Sequence, residues 1–504
     1  MRPAAAPLTD GRACLHRYSG DPAHQNPAAI TAVFPTPPRF HNYLPVLGGL
    51  LLLAGLAGMR LHAAGTPGAA APEPPTEWVD PDTGHRIVRL SREGGTASLY
   101  FHQNAYTPDG TELIVTTPDR GIAAINLATR AIKTVVPGPV NVLVTGRKSG
   151  DVYYTRWAPE PDAKVGGVPG TVNGAVVYAT NVDTLQTRKV VELPPGRFVA
   201  SLNADETRLL GSFVEGGGPG GPGAAGGPRG RRTGEDPRFQ QANFKAVGAD
   251  GKPMTFAQAK ELMLHNQLAR IHAGPPHVIF TVNTRTGEIK DVDREREWLN
   301  HLQFSPTDPG LILFCHEGPW HEVDRIWTIR ADGTGLTKIH TRTMNMEIAG
   351  HEFFSADGRT IWYDLQTPRG EDFWVAGYEI ATGRRTWYHL TRNEWSVHFN
   401  VSPDGTMFAG DGGDPEMVAH APDGKWIWLF RPQELPNVAG IKNPDDPTLI
   451  HAGFFYAERL VNMAKHDYRL EPNVTFSPDE KWVIFRSNMF GPTHVFAVEI
   501  AKAK

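Results

Sequence analysis

Three histidines and two amides share one register in this chain. Gln103, His301, His351, His398 and Asn473 each lie five residues before the second position of a tight turn. The turns are Thr107-Pro108-Asp109-Gly110, Ser305-Pro306-Thr307-Asp308, Ser355-Ala356-Asp357-Gly358, Ser402-Pro403-Asp404-Gly405 and Ser477-Pro478-Asp479-Glu480. A weaker copy, Asn203-Ala204-Asp205-Glu206, carries the apolar Val199 at that place. Neutral imidazoles beside carboxylate or amide oxygens suit a divalent cation such as Mn²⁺, Mg²⁺, Ca²⁺ or Zn²⁺. A further histidine near such an ion can take a proton, because its unperturbed pKa of ~6.5 leaves it neutral at physiological pH. Arginines that pair bidentately with carboxylates would hold an acidic substrate; Arg369 and Arg486 are placed for that role in loops also rich in His, Asp and Trp, with His316 and His321 in the same class of loop.

The elements that must position these groups are short strands. Each turn is followed by a compact apolar segment, ELIVTT (112–117), TRLLGSF (207–213), LILFCHE (311–317), TIWYDLQ (360–366), MFAGDGG (407–413) and KWVIFRS (481–487). Further along most units a second hairpin has a polar turn with Gly or Asp, as in VIFTVNTRTGEIKDV (278–292). Four strands repeating every ~50 residues mark a β-propeller blade. The fold expected is all-β, a seven-bladed β-propeller over residues 80–504, with blades centred on 100–135, 140–193, 197–292, 299–340, 349–390, 396–432 and 471–500. The segment from Arg86 to Leu90 has no local partner and is expected to join the last blade as its outer strand, which removes a free edge. If the first strand of each blade lines the channel, the turn ends it at one mouth. At ~3.3 Å per residue, the five-back residues then ring the other mouth, where loops between second and third strands also open.

Blade three carries an insert, 214–272. Gly216 to Gly230 is Gly/Pro-rich and reads as disordered. Thr255 to Arg270 reads as a helix with Thr255 as N-cap and Phe256, Ala257, Met263, Leu264 and Leu268 on one face. Such a helix either covers a mouth or packs on a blade's side.

A formal net charge of −4 with 21% charged residues argues against a nucleic-acid partner. Fifty-three glycines and 43 prolines fit a turn-rich β protein, and the two cysteines, Cys14 and Cys315, predict no disulfide framework. Residues 1–64 read as a leader with a signal peptide or membrane anchor: the apolar run Leu44–Met59 is short for a span of ~20 residues and ends in small residues. Residues 65–79 read as a linker. The expected location is therefore exported, periplasmic or extracellular, with membrane contact only through that N-terminal segment.

The strings WLNHLQFSPTDP (298–309), FCHEGPWHEVDRIW (314–327), GHEFFSADG (350–358), MFAGDGGDP (407–415) and EPNVTFSPDEKWVIFRSNMFGP (471–492), supported by YFHQNAYTPDG (100–110), resemble the oligogalacturonate lyase family, seven-bladed propellers acting on pectin oligomers. The resemblance implies metal-assisted β-elimination on an acidic, uronic-acid oligosaccharide. His301 falls at the family's base and His351 at one of its metal-binding histidines. His398, Glu471 and Asn473 complete the implied cation site, with Mn²⁺ first and Ca²⁺ or Mg²⁺ as alternatives. Arg369 joins His301 in the catalytic set, and Gln103, His316, His321 and Arg486 form the substrate-binding set. Where the family has His-Pro-His, this chain has Glu471-Pro472-Asn473. Tyr468 stands near the family's metal-binding Gln and His277 near its catalytic Arg, for which Arg270 could substitute. A rival reading is a non-catalytic, TolB-like periplasmic propeller that binds glycan or protein.

Overall fold

The computed structural model describes residues 73–156, 175–216, 247–414, 421–435, 446 and 448–503. The expected leader, the apolar run Leu44–Met59 and nearly all of the Gly/Pro-rich stretch 216–230 lie outside the described residues. Among the described residues no helix is long and apolar enough to cross a membrane.

Seven antiparallel units follow one another along the chain as the blades of a β-propeller. Blade one runs from Ala97–Ser98 to Ile132–Val136, blade two from Asn141–Thr145 to Thr187–Glu192, blade three from Phe198–Leu202 to Ile289–Glu295, and blade four from Trp298–Phe304 to Thr337–Lys338. Blade five runs from Ile348–Phe354 to Arg385–Leu390 and blade six from Phe399–Val401 to Ile450–Asn462. Blade six extends beyond the expected end near 432, because its outer strand returns only at Ile450–Asn462. That strand pairs in parallel with Arg385–Leu390 and joins blades five and six into one eight-stranded sheet. Blade seven combines both ends of the described chain. Thr475–Phe476, Trp482–Ser487 and His494–Lys502 are completed by His85–Arg89, and Glu77–Val79 lies outside it. The linker expected over 65–79 therefore ends in a strand. With the two ends of the described chain paired within the last blade, the ring is closed by hydrogen bonds rather than packing alone.

The recurrent turns are built alike. In each of Thr107, Ser355, Ser402 and Ser477 the hydroxyl donates to the carboxylate two residues on, at 2.6–2.7 Å. That carboxylate accepts the backbone N–H two residues later, the Asx/ST logic that makes Ser-x-Asp a turn former. Aromatic side chains fill the space between blades: Phe353, Phe373, Trp395, Phe399, Phe408 and Phe430 form one cluster across blades five and six. Each is worth about 1.5–3 kcal/mol of apolar burial.

The insert of blade three contributes one helix, α1, Phe256–Ala273, with Thr255 as N-cap in a reciprocal capping box with Gln258. Its buried side chains are Leu268 and Ile271, while Met263, expected on the apolar face, is exposed. The helix is held by polar contacts as well: Glu261 meets His321 and Arg369, and His272 meets Glu297. It therefore lies on the second-to-third-strand loops of blades four and five.

Candidate active site

At three of the five register positions the backbone turns left-handed. His301, His351 and Asn473 have φ of 51°, 49° and 53°. In blades four and five these residues sit in β-bulges, where pairing jumps from Asn300 to Gln303 and from Gly350 to Phe353. A bulge re-aims a side chain out of the strand's alternation, and a non-glycine residue at positive φ carries local strain of about 1–3 kcal/mol.

The five register residues do not all do the same thing. His351 and His398 meet across blades five and six, ring centroids 4.7 Å apart and planes inclined by 57°. Each has its Nδ1 on a carboxylate: His351 on Asp364 Oδ2 at 3.2 Å, His398 on Asp411 Oδ2 at 2.8 Å. This leaves the Nε2 lone pair of both rings to accept a hydrogen bond or to coordinate, and Nε2 of His398 lies 3.2 Å from the Tyr100 hydroxyl and 3.9 Å from Glu471 Oε2. Both aspartates follow their histidine by 13 residues. At the same offset from Asn473 stands Arg486, whose Nε donates to Glu471 O at 2.8 Å and Nη1 to Ser98 O at 3.3 Å.

His301 belongs to a second network. Its Nδ1 lies 3.0 Å from Glu352 Oε1 and its Nε2 3.8 Å from Glu317 Oε2. Glu317 is paired with the wholly buried Arg325, whose guanidinium stacks 4.2 Å over Trp320. Trp320 in turn packs against His351 at 5.1 Å, so the two networks touch. Burial opposes protonation of His301, but the Glu352 and Glu317 carboxylates outweigh it and raise its pKa above the ordinary histidine value. Burial likewise works against ionised Glu317, yet Arg325 and His301 hold it at about 2. His398 is raised against its burial by Asp411 and Glu471. His102, in blade one, is pushed down to about 3 by burial and then by the neighbouring His301.

Asn473 and Gln103 enter as backbone organisers. The Asn473 amide oxygen accepts from Phe101 N at 3.3 Å and its nitrogen donates to Glu471 O at 3.0 Å. Gln103 accepts from Tyr100 N and donates to Leu143 O. His316 is buried between blades three and four, 2.8 Å from Glu295, with its ring tilted against Trp327. His321 and Arg369 are drawn to Glu261 of α1, at 3.3 and 3.6 Å, rather than to His301. His277 is buried within blade three, Arg270 is exposed on α1, and Tyr468 donates to the Asp411 carbonyl. The arginine beside His301 is Arg325. Residues not singled out from the sequence are thus Tyr100, His102, Glu317, Arg325, Glu352, Asp364 and Asp411. The 13-residue His-to-Asp offset was a readable signal for two of them.

A sequence profile described as oligogalacturonate lyase matches residues 271–503. Over that span the chain is similar to the oligogalacturonate lyase family. It is 24% identical over 449 residues to the oligogalacturonate lyase of Dickeya dadantii (strain 3937), covering 84% of this chain and 95% of that one. It is 26% identical over 459 residues to the oligogalacturonide lyase of Pectobacterium atrosepticum, with the same coverage. Its fold matches that of an oligogalacturonate lyase solved in complex with manganese, with a TM-score of 0.60 at 20% identity over 84% of this chain and 96% of the other. The lyase from Vibrio parahaemolyticus gives a TM-score of 0.59 at 18% identity, with the same coverage.

The residues present fit a divalent cation by donor type. Histidine rings anchored through Nδ1 to carboxylates have the tautomer and orientation of metal ligands, and Glu471 adds an oxygen donor. Asp364 Oδ1 and Glu352 Oε2 are buried without a hydrogen-bond partner, a local excess of negative charge. The three donors are not drawn tight. Among the described residues the groups of three within 4.8 Å are His301–Cys315–Glu352 and Glu261–His265–His321. Burial pushes the Cys315 thiol well up. Glu471 Oε2 lies 3.9 Å from His398 Nε2, and the Glu471 side chain is 41% exposed.

Proposed function

We propose that this protein is an oligogalacturonate lyase that cleaves uronic-acid oligosaccharides by β-elimination, with His301 as the base. The observation that carries the assignment of the base is the Glu352–His301 pair. A carboxylate on Nδ1 fixes the proton there and leaves the Nε2 lone pair to accept the C5 proton, α to the uronate carboxylate. As C5–H breaks, its electron pair forms the C4–C5 double bond and the C4–O glycosidic bond breaks, its oxygen leaving with a proton from solvent or a nearby acid. His351, His398 and Glu471 would hold the cation, Mn²⁺ by analogy with the manganese-bound relative. When bound, it supplies positive charge to the uronate carboxylate. Arg325 does not itself reach substrate; buried on Glu317, it keeps that carboxylate ionised beside His301. Arg486 orders the Glu471 loop through the Glu471 carbonyl.

The apolar run Leu44–Met59 supports export to the periplasm or cell exterior. A non-catalytic, TolB-like binding module would leave the carboxylate-anchored histidines without a role. The test is growth of ultraviolet absorbance from the conjugated unsaturated product, with oligogalacturonides and Mn²⁺. His301→Ala is expected to abolish it. Full activity in His301→Ala, or inactivity of the wild type across several uronates, overturns the reading.

A further inference from the structure

The helix of the blade-three insert meets the propeller at a cluster of nitrogen and oxygen donors separate from the His351–His398 pair. Glu261 and His265 are one helical turn apart, and His321 faces them from the loop between the second and third strands of blade four. Glu261 Oε1 lies 3.3 Å from His321 Nδ1 and 3.8 Å from His265 Nε2. Donors of a tetrahedral site with bonds of ~2.0–2.1 Å stand ~3.3 Å apart; the Glu261–His321 separation matches that, and the three donor atoms all lie within 4.8 Å of one another. Despite that proximity, Glu261 Oε1 and His321 Nδ1 are both buried atoms without a hydrogen-bond partner. The outer nitrogens of the two rings share a single carboxylate: Glu322 Oε2 is 3.4 Å from His265 Nδ1, and Oε1 is 3.3 Å from His321 Nε2. A carboxylate behind each metal-facing imidazole is the arrangement that fixes the tautomer of a metal-binding histidine. Arg369, 3.6 Å from Glu261 Oε2, holds the other carboxylate oxygen.

We propose that Glu261, His265 and His321 bind a divalent transition ion of the zinc type, with Glu322 orienting both histidines. Two imidazoles with one carboxylate favour Zn²⁺ over the harder Mg²⁺ or Ca²⁺, and three protein ligands leave a fourth position for water or another oxygen. The ion ties α1 to the loop that carries Trp320, and Trp320 packs on His351. The insert is thereby fastened over the candidate active site by a bond it could not make through its exposed Leu262 and Met263. The proposal stands whether or not the protein is a lyase.

The experiment is zinc binding by the full chain, followed by equilibrium dialysis and metal analysis. The wild type, the Glu261→Gln/His265→Ala double variant and the His351→Ala/His398→Ala double variant are compared, each checked for a cooperative thermal transition. The wild type and the His351/His398 variant are expected to hold a zinc that the Glu261/His265 variant loses. Glu322→Gln should weaken it by about 10–100-fold. Because His265 is 41% exposed, His265→Ala alone serves if the double variant does not fold. Equal zinc in the wild type and the Glu261/His265 variant, or no zinc in the wild type, overturns the proposal.

Discussion

His301 and His351 occupy a conformation that their side chains disfavour, at φ of 51° and 49°. A left-handed L-residue costs roughly 1–2 kcal/mol relative to glycine. His301→Gly is therefore expected to be more stable than His301→Ala by about 1 kcal/mol in denaturant unfolding, while both lack the proposed base. Equal stabilities would mean the bulge relaxes in the variants. The same residue predicts a pH dependence. With its pKa raised above the ordinary value by Glu352 and Glu317, His301 is protonated at low pH and becomes a base only as pH rises through that raised value. Activity should therefore climb with pH there. Glu352→Gln removes the first-named stabilising charge, so the acidic limb should move to lower pH while the maximal rate falls. An unmoved limb would assign the titration to another group. Both effects were partly legible in the sequence. The register singled out His301, but Glu352 gave no sign, because its importance depends on a 3.0 Å contact between adjacent blades.

At the scale of elements, the loop from Glu317 to Arg325 does more than connect two strands of blade four. It presents Glu317 to His301, Trp320 to His351, and His321 and Glu322 to α1. Arg325 is its anchor, wholly buried against Glu317. Removing one partner of a buried ion pair leaves an uncompensated charge, which typically costs about 3–5 kcal/mol. Arg325→Leu should therefore lower the unfolding free energy by that order, and with it the midpoint, and, if folded, raise the pKa of Glu317. An unchanged midpoint would show that water reaches the carboxylate. The helix itself was legible to within three residues at its C-terminus, because a Thr N-cap, a Gln at N3 and a run of helix formers all act locally. The face it buries was not: Met263 is exposed while Ile271 is buried. Which face is apolar enough depends on what lies opposite, here the carboxylate-rich loops of blades four and five rather than a hydrophobic sheet.

At the scale of the molecule, ring closure depends on hydrogen bonding between sequence ends. His85–Arg89 pairs with His494–Lys502, and Asp80 accepts from Asn462 N at 2.8 Å. Deletion of residues 73–90 is expected to expose the edge of His494–Lys502 and abolish cooperative thermal unfolding; a deletion that unfolds as the wild type does would mean the ring closes without that strand. The Ser-Pro-Asp-Gly repeat and the alternating apolar strands were enough to imply a propeller, because turn chemistry and strand periodicity are local properties, the turn recurring in six units, once as a weaker copy, and the strand pattern in all seven. The unmatched strand at Arg86 was enough to imply its partner, because an unpaired edge is costly. What only tertiary structure decided is how the register residues divide. His301, His351 and His398 acquire carboxylate partners, whereas Asn473 and Gln103 turn to backbone groups. Identical spacing brings residues to equivalent places on their own blades. What each side chain then meets is set by the neighbouring blade, whose contribution lies tens to hundreds of residues away.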